Sequence, residues 1–180
     1  MGELIGFGGK TPLVDPAAFV APGAKLIGDV EIGPEASIWY NCVLRGDVNA
    51  IRIGARTNIQ DGSVLHVDSP RPGHESGFAT IIGDEVLIGH LAMVHGCILR
   101  DRAFVGLGAI VMDGCEIESD AMLAAGALLT PGRTIPSGQL WAGRPAKYVR
   151  DLSAADLEGM RAGVAHYVML AKLHSEALSA

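Results

Sequence analysis

The sequence predicts a three-sided solenoid of short parallel strands, closed by a C-terminal helix. Two patterns carry that expectation. An apolar residue recurs at every sixth position through Val20, Leu26, Ile32, Ile38 and Leu44, and after three extra residues through Ile53, Ile59 and Leu65. A longer insertion leads to Ile82, Ile88 and Val94, and one step of five to Leu99, Val105, Val111, Ile117, Leu123, Leu129, Ile135 and Trp141. The position four beyond an anchor is usually small or β-branched, as at Ala24, Ala36, Cys42, Thr57, Ser63, Val86 and Ala92. Glycine often follows the anchor directly, as at Gly33, Gly54, Gly83, Gly89 and Gly106. A strand and a corner every six residues describe a flat-sided coil, with successive coils stacked ~4.8 Å apart. The anchors then form continuous aliphatic ladders inside. Composition agrees: 24 glycines and 5% aromatics in a chain that is 49% hydrophobic suit tight corners around an aliphatic core.

Along the chain, the coil is expected over residues 11–145, with DSPRPGHESGF (68–78) as a surface loop. Residues 146–180 are expected to be a helical segment packed along the prism. Ser153 reads as its N-cap, with Asp156 three residues on. Leu157, Met160, Val164, Tyr167, Val168, Ala171 and Leu178 form its apolar stripe. His166 and His174 read as surface residues.

Several function classes are disfavoured. A net charge of −6 gives no basis for nucleic acid or an anionic membrane as partner. The apolar run 121–129 is too short to span a bilayer. The start MGELIGFGGK lacks a basic segment followed by an apolar one, so no secretory signal is expected. Cys42, Cys97 and Cys115 cannot all pair within one chain and match no zinc spacing. They read as small packing residues in a reducing, cytoplasmic setting.

The chemistry concentrates between Leu65 and Cys97, which hold His66, His90 and His95. With the hexapeptide pattern, the segments NIQDGSVLHV, IGHLAMVHGC and WAGRPAKYVRDL resemble the γ-class carbonic anhydrase family over roughly residues 11–175. The resemblance implies an all-β left-handed parallel β-helix and a homotrimer. It also implies metal-dependent, reversible hydration of CO2 to bicarbonate at a site between subunits. Periodicity says nothing of the hand, since parallel crossovers are normally right-handed.

Register speaks to the histidines independently. His66 and His95 each directly follow an anchor on one side of the prism, one coil apart, and should project side by side. His90 follows an anchor of another side and points elsewhere. Three prisms around a threefold axis would bring His90 of one copy to His66 and His95 of the next. Three neutral imidazoles suit Zn2+, and also Fe2+ or Co2+, with a coordination position left for water.

By the same resemblance, Arg45 and Asp47 form a pair that supports the trimer, which a purely structural ion pair would also explain. Asn58, Gln60 and Asp61 should approach a neighbour's metal, with Gln60 and Asn58 handling the attacking water and the substrate oxygen. Tyr167 falls in HYVMLAKLH, where some family members place a tyrosine near bicarbonate, although packing alone would also place it in the stripe. Val48 stands where well-characterised members carry a glutamate. Asp68, His74 and Glu75 of the loop are candidate proton carriers, or simply solvated residues. The alternatives on this scaffold are a hexapeptide acyltransferase or CoA thioesterase, and a catalytically weak trimeric scaffold.

Overall fold

The computed structural model describes residues 2–179. Every anchor of the six-residue series except Trp141 is buried. The anchors stack in register from coil to coil: Leu26 beside Leu44, Leu44 beside Leu65, Leu65 beside Val94, Val94 beside Val111, and Val111 beside Leu129. Each fully buried Leu or Ile contributes ~1.5–3 kcal/mol, so the ladders are the main stabilising feature. The three cysteines are free and buried among them. Burial pushes the Cys42 thiol up to about 11, and a neutral thiol packs there as a small apolar group.

Pairing along the ladders is parallel, as a coil requires. Two of the prism's sides merge into a twelve-stranded sheet, because Lys25–Ile32 and Val43–Ile53 run unbroken around a corner. The third side is an eight-stranded sheet. The three extra residues after Leu44 do not form a loop. They swell the strand: Gly28 pairs with Gly46, but Val30 already pairs with Ile51, and the bulge between holds Asp47 and Val48.

The larger insertion is a narrow antiparallel finger, bridged at Asp68–Phe78 and Arg71–His74. The Asn49 side chain pins its base by donating to the carbonyls of Asp68 (3.1 Å) and Ser76 (2.8 Å). At the N-terminal end, Glu3–Ile5 already pairs with Lys25–Ile27 as an additional rung. At the other end, Ala146–Asp151 folds back antiparallel on Gln139–Gly143, a strand that the six-residue period did not reveal.

The helix Ala154–Ser179 lies across the eight-stranded sheet and buries Met160, Val164, Val168 and Ala171. Its cap is reciprocal: Asp156 N donates to Ser153 Oγ (3.2 Å), and Ser153 N donates to Asp156 Oδ2 (2.7 Å). Two expectations for this helix need correcting. Leu178 is half exposed, since the stripe outruns the packed part of the sheet. His174 is no surface residue: its ring sits 5.0 Å from Trp39 and 6.3 Å from Phe19, and its Nδ1 lies 2.8 Å from Tyr40 Oη. It follows Ala171 by three residues and Tyr167 by seven, which returns it to the inward face. No helix among the described residues is long and apolar enough to cross a membrane.

Candidate metal centre

His66 and His95 follow inward anchors, so strand alternation turns both outward on the same side. They end the adjacent strands Val64–His66 and Met93–His95, where they are register partners. Their ring centroids are 4.9 Å apart, with His66 Nδ1 2.9 Å from His95 Nε2. Thr80, fully buried where the coil resumes after the finger, holds the two strands together. Its hydroxyl donates to the His66 carbonyl (2.6 Å) and accepts from Gly96 N (3.0 Å).

The outer nitrogen of each ring faces a carboxylate. His66 Nε2 lies 3.0 Å from Asp47 Oδ1, and His95 Nδ1 lies 2.5 Å from Asp113 Oδ1. A carboxylate only accepts, so each outer nitrogen carries the proton. The facing nitrogens therefore both present lone pairs, 2.9 Å apart. Two lone pairs at that separation repel unless a positive species lies between them, either a shared proton or a metal cation. Two nitrogens on one tetrahedral Zn2+ stand roughly 3.3 Å apart, given bonds of ~2.0–2.1 Å, so a few tenths of an ångström of opening suffices. The donor set fits a divalent cation.

Asp47 also accepts from Arg45 Nη1 at 2.5 Å. Burial pushes the Asp47 carboxyl up, but the hydrogen bonds from His66 and Arg45 outweigh it and hold the group below the usual carboxylate range. Val48, next along the same strand, is exposed and offers no proton acceptor.

His90 occupies the corner after Leu87–Ile88 of the other sheet. The pairing of Ile59 with Ile88 sets Asp61 one coil beneath it, and Asp61 Oδ2 lies 2.9 Å from His90 Nδ1. The remaining nitrogen, Nε2, is 3.4 Å from Tyr167 Oη, to which the helix brings it. Burial and then the nearby Asp61 charge raise the Tyr167 phenol, which keeps its proton to donate. The neighbouring corner residue Leu91 has a left-handed backbone (φ 60°) and lies open to solvent. Among the described residues, this one chain brings no three His, Cys, Asp or Glu side chains together as a metal site.

Asn58 and Gln60 flank the anchor Ile59 and face outward beneath the helix, which buries both. Gln60 Nε2 donates to Asn58 Oδ1 (3.0 Å), and Asn58 Nδ2 is left with no acceptor among the described residues. An orphaned buried donor costs about 1–3 kcal/mol, a cost the chain carries at this amide.

The structure thus brings Arg45, Asp47, His66 and His95 into one group, and Asn58, Gln60, Asp61, His90 and Tyr167 into a neighbouring region. The loop candidates are engaged within the finger itself: Asp68 with Arg71, Glu75 Oε1 with Gly73 N (3.1 Å), and the His74 ring on Phe78. Asp113 escaped the sequence reading. It stands 18 residues after His95, one past Met112, which the shortened coil sets beside His95, so the spacing gave no signal for it.

No protein-family model matches the chain. It is 48% identical over 166 residues to a mitochondrial γ carbonic anhydrase 2 of Arabidopsis thaliana, covering 92% of this chain but 59% of that protein. The chain therefore spans about three-fifths of the length of that plant relative. It is 43% identical over 152 residues to a carbonic anhydrase of Geobacillus kaustophilus, covering 84% of this chain and 80% of the other. A crystal structure of a hexapeptide transferase family protein from Anaplasma phagocytophilum superposes with a TM-score of 0.87 at 46% identity, covering 94% of this chain and 96% of that one. With the parallel solenoid and the paired histidines, these likenesses show that the chain belongs to the γ-class carbonic anhydrase family.

Proposed function

We propose that this protein is a metal-dependent carbonic anhydrase that interconverts CO2 and bicarbonate at sites shared between the subunits of a homotrimer. The observation that carries the proposal is the facing ring nitrogens of His66 and His95, 2.9 Å apart, each ring with a carboxylate behind it. Two ligands from one copy leave the set one short of a catalytic triad. His90, with Nδ1 on Asp61 and Nε2 3.4 Å from Tyr167 Oη, would be the third, its Nε2 turning from the phenol to a neighbouring copy's cation.

Zn2+ suits three neutral imidazoles, as do Fe2+ and Co2+, and such a cation supplies a Lewis acid that brings the pKa of water to ~7. The chain's residues do the rest. Gln60 Nε2 is committed to Asn58, so its carbonyl oxygen accepts from the attacking water and aims the water's lone pair at carbon. Asn58 Nδ2, otherwise without an acceptor, donates to a substrate oxygen as charge develops there. Tyr167 donates to a bicarbonate oxygen. Arg45 and Asp47 brace the interface and hold the His66 ring. The reaction releases one proton per CO2 hydrated, and Val48 cannot carry it. Export then falls to buffer, or to His74 and Glu75 of the finger, and limits the rate. Free, buried thiols suit a reducing, cytoplasmic compartment.

Stopped-flow CO2 hydration by Zn2+- or Co2+-loaded protein, beside His95→Ala, tests the proposal. A rate that falls to the buffer background in the variant is expected; equal rates overturn it. Acetyl transfer from acetyl-CoA that survives chelation would instead favour a hexapeptide transferase.

A further inference from the structure

We propose that Asp113 is a positioning residue of this site: it fixes the His95 ring in the Nδ1–H form and so presents Nε2 to the cation. The assignment rests on the metal reading above and deepens it. Asp113 Oδ1 lies 2.5 Å from His95 Nδ1, the shortest approach of a carboxylate to any of the three histidines. Among the described residues, that ring is its only side-chain partner at ion-pair distance, and no Lys or Arg pairs with it. Asp47, by contrast, divides its carboxylate between His66 and Arg45.

The backbone is arranged to allow the approach. Pairing of Val94 with Val111 sets Met112 beside His95, so Asp113 lies beside Gly96. A Cβ on Gly96 would stand 2.4 Å from Asp113 Oδ1, and Gly96 also has φ +52°. Any side chain there would push the carboxylate off the imidazole. Gly114, which follows Asp113, also has positive φ (+68°) and turns the chain directly behind it. A bare position facing the carboxylate, and no competing cation, are what a dedicated histidine orienter requires. Partners of this kind typically change metal affinity by about 10–100-fold when removed.

The test uses the full chain as Asp113→Ala and Asp113→Asn, with two readouts. The first is the His95 ring tautomer, read from side-chain 15N shifts of histidine-labelled, metal-stripped protein. The second is Zn2+ affinity by competition with a chromogenic chelator. Asp113→Ala should lose the Nδ1–H preference and bind Zn2+ about 10–100-fold more weakly. Asp113→Asn, whose side-chain carbonyl still accepts, should restore the tautomer and much of the affinity. Gly96→Ala should reproduce Asp113→Ala with the carboxylate still encoded. A tautomer unchanged in Asp113→Ala, with affinity within about threefold of wild type, overturns the assignment. A wild type that takes up no divalent cation, yet shows the tautomer change in Asp113→Ala, overturns the metal reading and leaves the hold of Asp113 on the ring intact.

Discussion

Two faces of the prism are built from the same repeat and end up in opposite states. On the eight-stranded side, outward residues vanish under the helix: Asn58 is 0% exposed, Gln60 4% and Leu87 8%. On the histidine-bearing side, the outward positions stay open and are largely apolar. Met93, Met112 and Val48 lie bare there, with Leu91 and Leu107 on the adjoining corner. A six-residue repeat supplies one inward anchor per side and says little about what covers the outside. One face is completed by the chain's own C-terminus. The other, with its apolar surface around His66 and His95, is completed in our reading by a second copy.

That contrast can be broken most severely on the bare face. Leu91→Lys with Met93→Lys should leave a folded chain that no longer assembles, since both side chains are already in water within one copy. Light scattering should report monomers, and CO2 hydration should fall more than about 100-fold because the site loses a ligand. Retained trimers with full activity would mean that copies meet elsewhere.

The covered face offers gentler probes. Gln60→Leu keeps the volume but removes the free acceptor, so kcat should drop about 10–100-fold with Zn2+ affinity unchanged, as chelator competition would show. Val164→Ala opens a gap between helix and sheet and should cost about 1–2 kcal/mol in denaturant unfolding, with the His66–His95 pair undisturbed.

The smallest effect lies at the helix start. The Arg150 guanidinium, with Ser153, holds the Asp156 carboxyl well below the usual carboxylate range. A depressed carboxyl stabilises the fold above its ordinary titration range, and that contribution is lost as the pH falls through that range and below it. Trp39 packs against Tyr167 and His174 of the helix, so its fluorescence should change in the wild type as the pH falls below the ordinary carboxylate range. In Asp156→Asn that acid-dependent part should be missing.

Much of this was legible in the residues. The anchor series placed the core ladder by ladder, and counting along it put His66 beside His95 and Asp61 beneath His90. It failed where the period breaks. The extra residues after Leu44 entered a bulge that lifts Asp47 to the His66 ring, a displacement no spacing encodes. The strand Ala146–Asp151 pairs antiparallel and leaves no six-residue trace. His174 joined the aromatic cluster because the phase of the helix, rather than polarity, decides which side chains turn inward. Asp113 was missed because it sits one position past the register partner of His95, and only the glycine facing it lets the carboxylate reach back.

The sequence by itself determined the coil, its anchors and the stacking of two histidines, because side-chain alternation and a constant period are local rules that propagate along the chain. Tertiary structure alone decided which ring nitrogen each carboxylate occupies, which outward face the helix covers, and that Asn58 is left with a donor to spare. Those outcomes depend on side chains 18 to 134 residues apart meeting within a few ångströms, as Asp113 meets His95 and His174 meets Tyr40. No local period carries that information.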